Sequence, residues 1–196
     1  MAATAAALAE VASAQSIVLV EGVSDQIALE TLAQRLSRDL SEDGVVIVPI
    51  GGAQAVERFL ERFGPNGTDH PVFGLCDAGE EQYFRRALDV AGLGSPKTRT
   101  DMEDLGFFVC VEDLEDELIR AAGRELIEQL LDDNGDLSSF RTLQKQFAWR
   151  DRDFDAQMRR FLGAGARRKS RYAHLLVDAL PLERMPAPLS DVLART

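Results

Sequence analysis

The chain has 196 residues, 45% hydrophobic and 28% charged, which suits one globular domain, or one with a helical appendage, and excludes a disordered or fibrous chain. No apolar run reaches the roughly 18 residues that a membrane span needs. A net charge of −11, from 22 basic and 33 acidic side chains, argues at face value against a nucleic-acid binder.

The opening stretch, MAATAAALAEVASAQ, lacks the basic start and bulky apolar run of a secretory signal and reads as a helix or a partly ordered leader. Residues 16–20, SIVLV, form a short β-branched run that breaks at Glu21-Gly22. From Ser24, a plausible N-cap, the pattern turns helical, with Ile27, Leu29, Leu32, Ala33 and Leu36 at spacings of three and four. A second apolar run at 44–50 ends in Gly51-Gly52, and a helix with Val56, Phe59, Leu60 and Phe63 on one face follows until Gly64-Pro65-Asn66-Gly67 stops it. A third run at 71–76, entered through His70-Pro71, ends at Asp77, and helical spacing resumes around Tyr83, Phe84, Ala87, Leu88 and Val90. A fourth run at 106–111 ends at Glu112-Asp113, before a helix carrying Leu114, Leu118 and Ile119.

Strand and helix thus alternate four times, and the strands are continuous apolar runs. Parallel strands covered on both faces have this pattern, so a three-layer α/β domain with a mainly parallel four-stranded sheet is expected over residues 14–125. Beyond it, a helical C-terminal extension is expected over 126–196. Its helical segments fall near 138–149, 153–162 and 168–180, before Pro181, Pro186 and Pro188 break the tail. Cys76 and Cys110 each close an apolar run, as small buried strand residues do, and form no disulfide framework. A cytoplasmic location is the default expectation.

The charge is unevenly spread. Residues 141–171 hold ten Lys or Arg and three Asp, whereas residues 101–136 hold thirteen acids and two bases. This is the pattern of a metal site beside a phosphate-binding surface, or of two solvated helix faces that partly neutralise each other.

Ligands of open α/β sheets bind beyond the carboxyl ends of the strands. Three of the four ends here carry acids. Glu21 closes the first strand, and Asp25 follows in the first helical turn, where backbone dipoles favour a negative charge. Asp77 closes the third strand, the expected neighbour of the first, and carboxylates at adjacent strand ends repel unless a cation lies between them. Glu21, Asp25 and Asp77, with Glu80 or Glu81 nearby, offer the oxygen ligands that Mg²⁺ or Mn²⁺ takes. Glu112, Asp113, Glu115 and Asp116 could supply a second ion, and paired metals commonly cut phosphodiesters. His70 and His174 have no partner at zinc spacing. Gly51-Gly52 reads as a turn or a backbone phosphate cradle. Phe147, Trp149 and Phe154 lie among basic residues and read as helix-packing or base-stacking aromatics. Ser24 has no identifiable histidine base.

The ordered series VLVEG, SDQIALETLAQRL, VVIVPIGGAQAVERFL, GLCDAGEE, CVEDLEDELIRAAG and ARRKSRYAHLLVDAL resembles a Toprim domain. It resembles in particular the Toprim part of overcoming-lysogenization-defect (OLD) family nucleases, over about residues 16–180. The resemblance implies a Rossmann-like Toprim fold and metal-dependent cleavage of DNA, with one or two Mg²⁺ or Mn²⁺ ions. It assigns Glu21 as metal ligand or general acid/base, Asp25 and Asp77 as metal ligands, and Glu112, Asp113 and Glu115 as further metal-binding acids. Lys169 matches the family's late lysine, able to stabilise charge on the transferring phosphate. The second acid of the family's DxD pair is replaced by Gly79, with Glu80 one residue later.

OLD nucleases place an ATPase domain before the Toprim domain, and this sequence holds no GxxxxGK[ST] phosphate loop. ATP hydrolysis is therefore not expected from this chain, and a separate ATPase is an expected partner besides DNA. A homodimer through the helical tail is a further expectation, and no membrane contact is expected. The rival readings are an inactive or regulatory Toprim module that binds a partner or nucleotide, and a Toprim enzyme acting on RNA.

Overall fold

The computed structural model describes residues 2–196. Of the expected N-terminal helix or leader, Met1 lies outside the described residues, and helix α1 covers Ala2–Glu10. Four parallel strands follow the expected runs: β1 (Ser16–Val20), β2 (Val45–Pro49), β3 (Val72–Asp77) and β4 (Phe107–Cys110), in the order β2-β1-β3-β4. Between them run α2 (Val23–Arg35), α3 (Val56–Phe63), α4 (Glu81–Val90) and α5 (Arg99–Asp104). After the sheet come α6 (Leu114–Asp133), α7 (Leu137–Gln144), α8 (Phe154–Leu162), α9 (Ala166–Ala179) and α10 (Ala187–Ala194).

Both faces of the sheet are covered, which is why its strands read as unbroken apolar runs. Side chains alternate along each strand. Val18, Val20, Ile47, Leu75, Phe108 and Cys110 enter one buried cluster with α2, α6, α7, α8, α9 and α10. Ile17, Leu19, Val48, Cys76, Phe107 and Val109 enter the other, with α1, α3, α4 and α5. The result is a three-layer α/β architecture. Gly74 is required where β3 passes β4, because a Cβ there would sit 2.6 Å from the Phe107 ring.

The C-terminal helices form the outer layer over α2. Arg35, in the last turn of α2, donates to the backbone carbonyls of Val177 and Leu180, and Thr31 hydrogen-bonds His174 Nδ1 at 3.0 Å. Helix α6 runs past residue 125, with a break at Gly123, where φ is 71°.

Three local expectations are corrected. Ser24 is not the cap of α2. The helix begins at Val23 with Gly22 as cap, two residues before Ser24; the Gly22 N–H donates to Asp25 Oδ2 at 2.8 Å, while Ser24 is buried. The segment expected as helix over 138–149 ends at Gln144. Beyond it the chain turns, because Gln157 Nε2 donates to the carbonyls of Trp149 and Arg152 and holds them out of helical register. The proline-rich tail is not simply broken. It ends in α10, with Pro188 in the first turn, where a missing N–H costs nothing.

Helix α10 buries Leu189, Val192 and Leu193 against the α2 face of the sheet. Replacing one fully buried leucine removes its transfer free energy and leaves a cavity. Leu189→Ala is therefore expected to destabilise the whole protein by about 2–5 kcal/mol, read as a lower urea midpoint in a single transition. An unchanged midpoint would show that the tail is not part of the core.

Candidate metal centre

The strand order fixes where the site lies. From β1 the chain crosses to β2 on one side, and from β2 it returns past β1 to β3 on the other. The crossovers diverge between β1 and β3, and a crevice opens at their carboxyl ends. Leu19 pairs with Gly74, so extending the register sets Glu21 one residue from Asp77.

Backbone groups lock these ends together. Glu21 Oε1 accepts the Asp77 N–H at 3.0 Å, and the Glu21 carbonyl accepts the N–H groups of Gly51 and Gly52 at 3.0 and 3.1 Å. Gly51 and Gly52 have φ of 82° and 114°, and a Cβ on either would point into open space. They leave bare one wall of a cleft of about 500 Å³ that also borders Glu21, Gln54, Arg58 and Glu80. Beyond β4, the Ala78 N–H donates to the Glu112 carbonyl at 3.1 Å, and Glu112 has the unusual φ of 65° for a non-glycine residue.

The first turn of α6 closes the site from the other side. Asp113 caps the helix by accepting the Asp116 N–H at 2.7 Å. Glu115 and Asp116 are both only 6% exposed, unusual for acids and tolerable only with partners. Asp116 pairs with Arg120 at 2.7 Å and with Arg159 of α8 at 3.1 Å. Glu115 Oε2 pairs with Lys169 Nζ of α9 at 2.9 Å, while Glu115 Oε1 is buried with no hydrogen-bond partner.

The electrostatics reflect this crowding. Burial, then the charges of Glu21, Asp25, Asp113 and Glu115, push the Asp77 carboxyl up to about 8. Burial likewise raises Glu21, with Asp25 and Glu80 adding repulsion, against the Asp77 N–H and Lys169. Asp25 and Glu115 are raised by burial in spite of Lys169. Burial alone would lower the Lys169 ammonium, but Glu115, Asp25 and Asp77 hold it above its ordinary value.

The structure therefore gathers Glu21, Asp25, Asp77, Asp113, Glu115 and Lys169 around one crevice, with Glu80 beside Glu21. The Glu112 side chain is exposed, and its observed contact with the site is through its carbonyl. Glu81 lies apart, paired with Arg85 and with Arg99 at 2.8 Å. Among the described residues no three acid, cysteine or histidine side chains converge into a ready-made metal cluster. The Glu21 and Asp25 carboxylates are instead turned onto the backbone N–H groups of Asp77 and Gly22. The donor set nonetheless fits a hard divalent cation: oxygens throughout, an excess of negative charge, and one buried carboxylate oxygen without a partner. The Asp116–Arg159 pair was missed in the sequence, where a contact across more than forty residues leaves no local signal.

Comparisons with known proteins bear on the fold. Residues 14–78 match the family model described as the overcoming lysogenization defect protein-like TOPRIM domain. The chain has an OLD-like Toprim fold. The C-terminal region of the OLD protein of Xanthomonas campestris pv. campestris superposes with a TM-score of 0.68 at 23% identity, covering 94% of this chain and 93% of that one. The C-terminal region of the Burkholderia pseudomallei OLD protein gives 0.68 at 18% identity, covering 93% and 96%. No curated protein is similar enough in sequence to match. The matched segment of the Toprim fold contains β1, β2 and β3, and with them Glu21, Asp25 and Asp77.

A pH dependence follows from the crowding. Folded Asp77 keeps its proton to about 8, whereas in the unfolded chain it releases it near its ordinary 3.8. Between these values the folded state binds more protons, so stability falls as pH rises. In metal-free protein the melting temperature should fall from about pH 6 to about pH 8, the upper half of that window. Asp77→Asn should flatten the fall, and Mg²⁺ should stabilise more at the higher pH, where cations displace fewer protons. An equally steep fall in Asp77→Asn would rule out this carboxyl as the source.

Proposed function

We propose that the protein is a Mg²⁺- or Mn²⁺-dependent nuclease that cleaves phosphodiester bonds of DNA at the crevice between β1 and β3. The observation that carries this reading is the placement of Lys169 among buried acids. A cation on α9 reaches Glu115, Asp25 and Asp77, which come from three other parts of the chain. A structural ion pair needs one acid, whereas a phosphodiester site needs surplus acids for cations and a cation for the substrate's charge.

In this reading Glu21, Asp25 and Asp77, with Glu80 at the rim, would hold one divalent ion, and Asp113 and Glu115, with Glu112 beside them, a second. Bound there, such ions supply Lewis acidity and a more acidic water. The protein's own groups do the rest. Glu21, at the strand end and bordering the open cleft, can take a proton from an attacking water once its carboxylate leaves the Asp77 N–H. Lys169, held charged and oriented by Glu115, offers its remaining N–H donors to the phosphate oxygens. A separate ATPase is the proposed protein partner.

Incubation of supercoiled plasmid with Mg²⁺ or Mn²⁺ should give nicked product, and chelation should stop it. Glu21→Ala should abolish nicking, and Lys169→Met should slow it by about a hundredfold, as loss of one charge-stabilising donor does. Nicking that survives Glu21→Ala would exclude this crevice as its source. A folded protein that binds no divalent ion and nicks neither DNA nor RNA would favour the regulatory module.

A gain of function tests the same site. A Cβ on Gly79 would meet nothing within 4 Å, so Gly79→Asp adds the second acid of the DxD pair without a clash. Calorimetry should then show tighter Mn²⁺ binding than in the parent chain. Weaker or unchanged binding would mean that position 79 does not face the cation.

A further inference from the structure

Between α7 and α8 the chain turns through residues 145–152, and at this turn the Phe147 ring is 83% exposed. This is no slack loop. Gln157, 6% exposed, donates to the carbonyls of Trp149 and Arg152 at 2.8 and 3.0 Å and accepts from Gln144 Nε2 at 2.7 Å. Trp149 packs on the core beneath, with the Arg160 guanidinium 5.9 Å from its ring. The turn is therefore fixed at both ends and by its indole, and it presents a large apolar ring to water. A single exposed apolar side chain is ordinary on a protein surface; what sets Phe147 apart is a fixed turn and the basic side chains around it.

The surroundings specify the partner. The Arg150 guanidinium lies 4.8 Å from the Phe147 ring centre. Lys145, Arg152, Arg160 and Arg167 have no carboxylate within ion-pair distance among the described residues, unlike Lys169 and Arg159, which the site acids engage. These bases come from the one strongly basic stretch of an acidic chain. A second copy in two-fold contact here would bring like charges together. Backbone phosphates with an unpaired base to stack on the ring satisfy both features at once. Helix α8 links this surface to α6, because Arg159, next to Arg160, is paired to Asp116 in the first turn of α6.

We propose that the 145–152 turn is a stacking platform for an unpaired base of a DNA strand, with Phe147 as the stacking ring and Lys145, Arg152 and Arg160 on the flanking phosphates. This rests on the nuclease reading and deepens it, since a stacking ring selects single strands or frayed ends over closed duplex.

Binding is measured with the full chain in EDTA, by fluorescence anisotropy, using labelled oligothymidylate and a blunt duplex of equal length. The expected result is tighter binding of the single strand. Phe147→Ala should weaken that binding by about tenfold, the effect of one lost stacked base, with little change in duplex binding. Phe147→Trp should restore it, and Arg152→Ala should weaken both substrates and reduce the salt slope by about one. Phe147 lies outside the core, so an unchanged melting temperature checks the fold of the alanine variant. Equal single-strand affinity in Phe147→Ala, equal affinity of wild type for both substrates, or a change confined to the sedimentation coefficient would each overturn the proposal. Because no metal is present, single-strand binding retained by a chain that never nicks plasmid would sink the nuclease reading alone.

Discussion

Parallel strands deliver their carboxyl ends to one edge of the sheet, and here that geometry forces like charges together. Glu21 and Asp77 sit on hydrogen-bonded neighbours, Asp25 follows one helical turn later, and α6 brings Asp113 and Glu115 from beyond β4. The protein tolerates this because several carboxylate oxygens find a backbone N–H and because Lys169 reaches in from α9. Much else follows from that requirement. The Gly51-Gly52 turn must give its N–H groups to the Glu21 carbonyl, and α9 must lie on α2 to place Lys169.

The sheet and its acids were legible in the sequence because their causes are local. Runs such as IVLV and VVIVP are apolar since both faces are covered, and Glu21, Asp77 and Glu112 each directly follow such a run. Helix α2 was legible from its spacing, although its cap was misplaced: a side chain reaching back to Gly22 replaces the usual serine cap. The helix α10 was hidden because three prolines precede or begin it, and only burial of Leu189, Val192 and Leu193 shows why it forms. The short α5 left little periodicity in six residues, and its capping box from Thr98 to Asp101 was its one local mark.

The site was legible as a set of acids but not as an arrangement. Lys169 is one of four basic residues among six, and nothing in ARRKSR distinguishes it from Arg167 or Arg168. What distinguishes it is the angle at which α9 starts, with Arg168 stacked on Phe161 of α8 and Tyr172 buried beneath, which turns Lys169 toward Glu115. Glu112 shows the converse. Its position in the acidic series suggested a ligand, but a left-handed backbone there leaves its side chain exposed while its carbonyl joins β4 to the end of β3.

The division of charge also has a structural cause. The acids of α6 and the bases of α8 and α9 meet at a seam, where Asp116 takes Arg159 and Glu115 takes Lys169. Pairing at the seam cancels the charges that would otherwise repel or attract across the crevice mouth. The bases farther from it, on the 145–152 turn and along α8, are left to face solvent. A chain with a net charge of −11 can thereby present a positive surface beside a negative crevice. On the proposed reading, phosphates would be attracted to the first and would need cations to enter the second, so strand capture and metal loading would be separate electrostatic events.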